Sequence, residues 1–248
     1  MLWVNFKIYK EAFGDRAIKL AESCRRVSEK AGIKIIPVVS ALDLWRVKKE
    51  VGGEVWLQNL DLFFEGAHTG WVSPLAAILA GADGALLNHS EHKIPPGKIR
   101  QIIAYLKKDK WRNHWLNEFR KVGLIPPKNE QMLNDQMKNF PLMVCVKTKG
   151  QIERWLKKLR PRPEFVAYEP PELIGGEISV SQAQPQVIER IVKLLPRYQV
   201  VVGAGIKTAD DVRRALTLGA KGVLVSSAVV KAEDPERKLL ELVEGVKS

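Results

Sequence analysis

An α/β fold with a parallel sheet is predicted for this chain by three features of its sequence. Approximately eight short runs rich in Val, Ile and Leu lie at about 2–6, 33–39, 54–59, 84–88, 140–146, 164–168, 198–203 and 222–226, separated mostly by helical patterns. Strands alternating regularly with helices are the signature of a parallel sheet closed or wound by those helices. The length is 248 residues, and one barrel of eight such units takes about 250, so a single domain over 1–248 is expected. Polar clusters also stand where apolar runs end: Asn5 and Lys7 after Leu2-Trp3-Val4, Asn88 to Glu91 after Gly84-Ala85-Leu86-Leu87, and Glu169 after Phe165-Val166-Ala167-Tyr168. Parallel strand ends in a barrel converge on one mouth, where a cation, an imidazole and a carboxylate far apart in sequence would meet. Periodicity alone leaves an open doubly wound sheet as the alternative.

The elements follow in order. After the first strand, Ala17, Leu20, Ala21, Cys24 and Val27 recur at spacings of three and four and predict a helix with one buried stripe. Asp15, Lys19, Glu22 and Arg26 mark its wet face. A fourth helix is expected over about 97–108, and between it and the strand at 140 lies more chain than a barrel connection needs, an insertion at about 109–139. There Trp111, Trp115, Phe119 and Val122 fall at i, i+4, i+8 and i+11, and Met132, Leu133, Met137 and Phe140 suggest a second helical piece. Aromatics at helical spacing predict burial against the barrel's own helices or a neighbouring subunit. Basic residues among aromatics also suit nucleic-acid contact, a rival reading. Thr148 with Gln151, and Thr208 with Asp211, have the spacing of helix N-caps, and Gly219 is placed to stop the second of these helices.

Composition narrows the class. No apolar run approaches the roughly 20 residues that span a bilayer, and the start lacks the regions of a signal peptide, so a cytoplasmic protein is expected. Cys24 and Cys145 make neither a disulfide framework nor a metal spacing, and both read as small core residues. Net charge is +12, much of it in pairs such as Arg25-Arg26, Lys48-Lys49, Lys107-Lys108 and Lys157-Lys158 on outer helices. That pattern fits solvated helix faces better than a nucleic-acid groove, and it would help draw in an anionic substrate.

The chemistry lies in the three clusters. Glu169, between an aromatic-apolar strand and two prolines, suits a base whose pKa is pushed up by apolar walls and which takes a proton from carbon next to a carbonyl. His89 is expected at the start of a short helical turn, where the positive dipole end favours the neutral imidazole as a hydrogen-bond donor. Lys7 can hold a positive charge beside a developing oxyanion, and Asn5 can donate a hydrogen bond to it. Ile174-Gly175-Gly176, Gly203-Ala204-Gly205 and Ser226-Ser227-Ala228 look like phosphate cradles, in which glycine lets backbone N–H groups approach an anion. His68, His92 and His114 read as structural.

Val4-Asn5-Phe6-Lys7, Asn88-His89-Ser90-Glu91 and Tyr168-Glu169-Pro170-Pro171-Glu172-Leu173-Ile174-Gly175 resemble, in order and approximate spacing, the motifs of the triosephosphate isomerase family. Ala41-Leu42-Asp43-Leu44 and the Pro-Pro-Glu-Leu-Ile-Gly run are most similar to its archaeal members. The resemblance implies a single (β/α)8 barrel with a helical insertion between helix 4 and strand 5. It implies an isomerase of dihydroxyacetone phosphate and glyceraldehyde 3-phosphate that needs no cofactor or metal. Glu169 would move the proton, with His89, Lys7 and Asn5 around the substrate oxygens and Glu91 paired with Lys7. Gly175, Gly176, Gly203, Gly205, Ser226 and Ser227 would hold the phosphate, and Glu172-Leu173-Ile174 would form a lid that excludes water. Gly66-Ala67-His68-Thr69-Gly70 resembles a loop that docks into a neighbouring subunit, so Thr69 is a supporting residue and a homodimer or homotetramer is expected. Four positions depart from the pattern: Gly176, Glu177, Ala228 and Lys93, which replace threonine, glycine, glycine and arginine. The rival to this reading within the same fold is a barrel that binds another small phosphosugar.

Overall fold

The computed structural model describes residues 1–63, 65–123, 129–170 and 185–247. Eight parallel strands pair in chain order: β1 (Leu2–Asn5), β2 (Ile35–Val39), β3 (Trp56–Leu57), β4 (Gly84–Leu87), β5 (Leu142–Val146), β6 (Phe165–Tyr168), β7 (Gln199–Val202) and β8 (Gly222–Val225). Leu2 faces Ile35 on one side and Val223 on the other, so β8 closes onto β1 and the sheet is a barrel, not an open wound sheet. Around it run α1 (Asp15–Ala31), α2 (Leu44–Glu50), α3 (Pro74–Leu79), α4 (Pro96–Lys107), α5 (Asp109–Lys121), α6 (Glu130–Asn139), α7 (Lys149–Arg154), α8 (Pro185–Leu194), α9 (Ala209–Thr217), α10 (Ser227–Val230) and α11 (Pro235–Lys247).

Period-two alternation sorts the strand residues into two cores. Leu2, Val4, Val144, Val166 and Tyr168 pack outward against the helices, in a core that includes Ala17, Leu20, Ala21, Cys24 and Val27 of α1. Trp3, Ile36, Leu86, Cys145, Phe165, Ala167 and Val201 fill the barrel interior. Trp3, Trp56 and Phe165 meet edge to face there, with centroids 5.0–5.7 Å apart. Because each comes early in its strand, the trio plugs the end opposite the mouth. Glycine on the neighbouring strand makes the room: a Cβ at Gly84 of β4 would stand 2.3 Å from the Trp56 ring, and one at Gly222 of β8 would stand 2.8 Å from Trp3.

The stretch after α4 forms α5 and α6, both packed on α4. Phe119, Leu116, Leu133 and Met137 are buried in that contact, and Trp111 and Trp115 are half-buried. Val122 and Met132 depart from expectation, being 76% and 54% exposed. Val122 lies just past the last turn of α5, and Met132 is turned about 100° from the Leu133–Met137 stripe. Arg112 is buried, and its guanidinium donates to the Leu106 and Lys107 carbonyls at the end of α4, to Asn134 of α6 and to Asp109. Orphan carbonyls at a helix C-terminus take such donors readily.

Thr148 caps α7, accepting from the Gln151 N–H. Thr208 and Asp211 form a reciprocal capping box on α9, and Gly219 follows it with φ 97°. Among the described residues, no helix is long and apolar enough to cross a membrane.

Candidate active site

Alternation carries the inner face of β6 from Phe165 and Ala167 to Glu169, so the carboxylate enters the mouth directly above the packed interior. It is buried, and its backbone is held by its own N–H on the Val146 carbonyl. Gly203, at the end of β7, stands against it: a Cβ there would lie 2.6 Å from Glu169 Cγ and 2.7 Å from Oε1. Gly203 therefore serves the carboxylate by leaving it space, a role its Gly-Ala-Gly context did not suggest.

On β4 the alternation is broken on purpose of geometry. Asn88 has φ 63°, a left-handed conformation that asparagine tolerates better than most residues. Its side chain ties the bend down, donating to the Cys145 carbonyl and accepting from the Ile94 N–H. His89 is thereby brought to Glu169, Nε2 lying 3.6 Å from Oε1. The Glu91 N–H points at His89 Nδ1, 3.3 Å away, so the singly protonated ring carries its proton on Nε2.

Lys7 also has positive φ, 49°, which costs a side-chain-bearing residue about 1–2 kcal/mol. Two bonds hold it: its N–H on Asn5 Oδ1, and its carbonyl accepting from Gln58. The Lys7 ammonium reaches Glu91 Oε1 at 2.6 Å, and Glu91 Oε2 lies 3.7 Å from His89 Nδ1. Asn5, Lys7, His89 and Glu169 thus line one pocket. Gly205, Ser226, Ser227 and Ala228 line its other wall. The Ser226 hydroxyl is committed, donating to the Asn5 carbonyl at 2.7 Å.

Two expectations about protonation change. Burial, the largest influence on Glu169, pushes its pKa up as the apolar walls predict. His89, the Cys145 thiol and Lys7 together outweigh it, and the carboxyl ends below its ordinary value. Burial likewise pulls His89 down, but Glu169 and Glu91 leave it above its ordinary value. No helix dipole opposes them, because residues 89–92 form a turn closed by the His92 N–H on the His89 carbonyl, and α4 begins only at Pro96. The Glu91 N–H on Nδ1 favours the neutral ring, so geometry and charge pull His89 in opposite directions. Cys145, expected as a small core residue, is buried and also faces Glu169, which with burial keeps it a thiol.

Thr69 is exposed on the β3–α3 connection, outside this pocket. His68 stacks on Phe63 in the same loop, centroids 3.7 Å apart. Gly175, Gly176, Glu177 and the 172–174 lid lie outside the described residues. Among the described residues, no group of three or more His, Cys, Asp or Glu is placed to hold a metal ion.

Residues 1–246 match the family model described as triosephosphate isomerase. The chain belongs to the triosephosphate isomerase family. Archaeal relatives with that name share it over nearly their whole length. The protein of Methanothermus fervidus is 36% identical over 97% of this chain and 96% of its own, and that of Methanopyrus kandleri 39% over 98% and 96%. That of Archaeoglobus fulgidus is 36% identical over 97% and 95%. Among solved structures, triosephosphate isomerase from Bartonella henselae superposes with a TM-score of 0.65 at 13% identity, covering 100% of this chain and 98% of its own, a likeness of fold. The triosephosphate isomerase family is one of intramolecular isomerases, so the barrel described above carries an enzyme and the nucleic-acid reading is not favoured.

Proposed function

We infer that the protein interconverts dihydroxyacetone phosphate and glyceraldehyde 3-phosphate by proton transfer through an enediolate. The observation that carries this reading is the meeting of a buried, ionised Glu169, the Nε2 edge of His89 and the Lys7 ammonium at one mouth. Glu169 removes a proton from one carbon and returns it to its neighbour. His89 donates from Nε2 to the substrate oxygens, while Lys7 and Asn5 stabilise the charge that collects there. Gly205, Ser227 and the Ser226 backbone, with Gly175 and Gly176, receive the phosphate, and residues 172–174 cover the intermediate. Gly203 acts by making room for the base.

The same reading takes residues 1–248 as one domain acting in the cytoplasm, with α5 and α6 as an addition to the family's barrel. It makes the protein a homo-oligomer, a dimer or tetramer. Support comes from the β1–α1 and β2–α2 loops, joined by the Gly14 N–H on Asp43 and by Arg46 on Asp15. These elements expose Ile8, Phe13, Leu42 and Trp45, a quantity of apolar surface that suits a subunit contact.

A coupled assay with glyceraldehyde 3-phosphate tests the activity. Glu169→Gln keeps the shape and removes the base, and turnover is expected to fall about 10²- to 10⁴-fold while a phosphorylated inhibitor still binds. Near-normal turnover in this variant would sink the assignment.

A further inference from the structure

A second cleft, of about 330 Å³, lies on the outer surface between α4 and the turn that precedes β6. Arg100 and Lys108 stand on its α4 side, Lys158 and Arg160 on the other, and Tyr105 and Trp111 form a wall. Ala104, between Arg100 and Lys108 on the same helical stripe, keeps the space open. Among the described residues, no acidic side chain lines it.

Several cations of the molecule are neutralised by a neighbouring carboxylate. Lys7, Lys48, Lys107, Arg112 and Arg120 each sit against a carboxylate. Among the described residues, none of Arg100, Lys108, Lys158 and Arg160 has an ion-pair partner. Arg160 is nevertheless fixed, Nη1 donating to the Lys157 and Leu159 carbonyls at 2.9 and 2.6 Å. Four like charges around one concavity focus a positive potential and raise the local concentration of anions. The aromatic wall is ordered as well: Tyr105 and Trp111 meet edge to face with centroids 4.7 Å apart, and Trp111 is half-buried. A second copy of the chain is a poor occupant, because self-association here would set like charges against each other.

We propose that this cleft binds a polyphosphate group, with Trp111 covering the organic part of the ligand. Its volume sits at the small end of the roughly 300–1,000 Å³ of ligand pockets, which suits one small molecule more than a polymer. Lys158 and Arg160 precede β6, whereas Glu169 follows it, so the cleft lies toward the end of the barrel opposite the proposed catalytic mouth.

The test is calorimetric titration of the whole protein with inorganic tripolyphosphate and, separately, with ATP, both with glycerol 3-phosphate present to fill the mouth. Both probes are expected to bind. The triple variant Arg100→Gln, Lys108→Gln, Arg160→Gln should weaken both at least tenfold with unchanged circular dichroism and unchanged isomerase turnover. Trp111→Ala should weaken ATP several-fold and leave tripolyphosphate unaffected. Absence of binding, equal binding by the triple variant, or displacement of the probes by glycerol 3-phosphate would overturn the proposal. So would a single-stranded RNA that binds far more tightly than either probe and is lost in the same variant, since the cleft would then be a nucleic-acid contact.

Discussion

Gly203 and Glu169 are coupled through space and not through a bond. Gly203→Ala places a methyl where the Glu169 side chain now lies, so the carboxylate must shift while the strand itself is untouched. The expected result is a large loss of turnover with a folded barrel, read from steady-state kinetics beside a thermal melt. Equal activity would show that the carboxylate has room the geometry denies it. Protonation gives a second prediction at this scale. Glu169 lies below its ordinary 4.5 and His89 above its ordinary 6.5. A lowered carboxyl contributes stability that is present above 4.5 and lost as pH falls through the folded-state value. A raised imidazole contributes stability that is present below 6.5 and lost as pH rises through its folded-state value. The pair is therefore strongest between 4.5 and 6.5. Urea midpoints of the unmodified protein and Glu169→Gln should differ most in that window, and a difference independent of pH would count against the pairing.

At the level of elements, Arg112 binds three helices into one unit. Arg112→Ala strips donors from the Leu106 and Lys107 carbonyls and from Asn134, and leaving such groups unpaired costs about 1–3 kcal/mol. Denaturant unfolding should register that loss while turnover stays normal; loss of turnover without loss of stability would place α5 nearer the chemistry than its attachment implies. This residue also marks how far the sequence could be read. Strand positions, the buried stripe of α1 and the caps at Thr148 and Thr208 were legible because they depend on neighbours within one turn or one pleat. The stripe of α5 was legible only to Phe119, since Val122 lies past the C-terminal end of the helix, beyond the Arg120–Glu130 pair that joins α5 to α6. In the mouth, the residue types at the strand ends were legible. The protonation balance was not, because it turns on Lys7, His89, Glu91, Cys145 and Glu169 meeting from four strands at once. The turn at 89–92, read as helical, was decided by the bend at Asn88 and its partners, Cys145 on β5 and Ile94 before α4.

For the molecule as a whole, one unmet demand is the apolar surface on the loops after β1 and β2 and the first turn of α2. If the proposed homo-oligomer forms through this surface, Leu42, 92% exposed, and Trp45, 57% exposed, are covered in it. Leu42→Asp combined with Trp45→Ser should reduce particle mass in light scattering without loss of folding, and an unchanged mass would remove this surface from the assembly. The net charge of +12 bears on the opposite question of what arrives from solution, since a basic surface favours small anions at every approach.

The edge-to-face trio of Trp3, Trp56 and Phe165 gives the barrel the form of a cul-de-sac. A reactant and its product must use one doorway in turn, and a solvent proton that exchanges with the bound intermediate must use it as well. The traffic rules of the enzyme are thus set at the mouth. A leak through the foot, made by trimming Phe165 to alanine, would be a second door: isotope from water would then wash into the product while the catalytic groups stayed where they are.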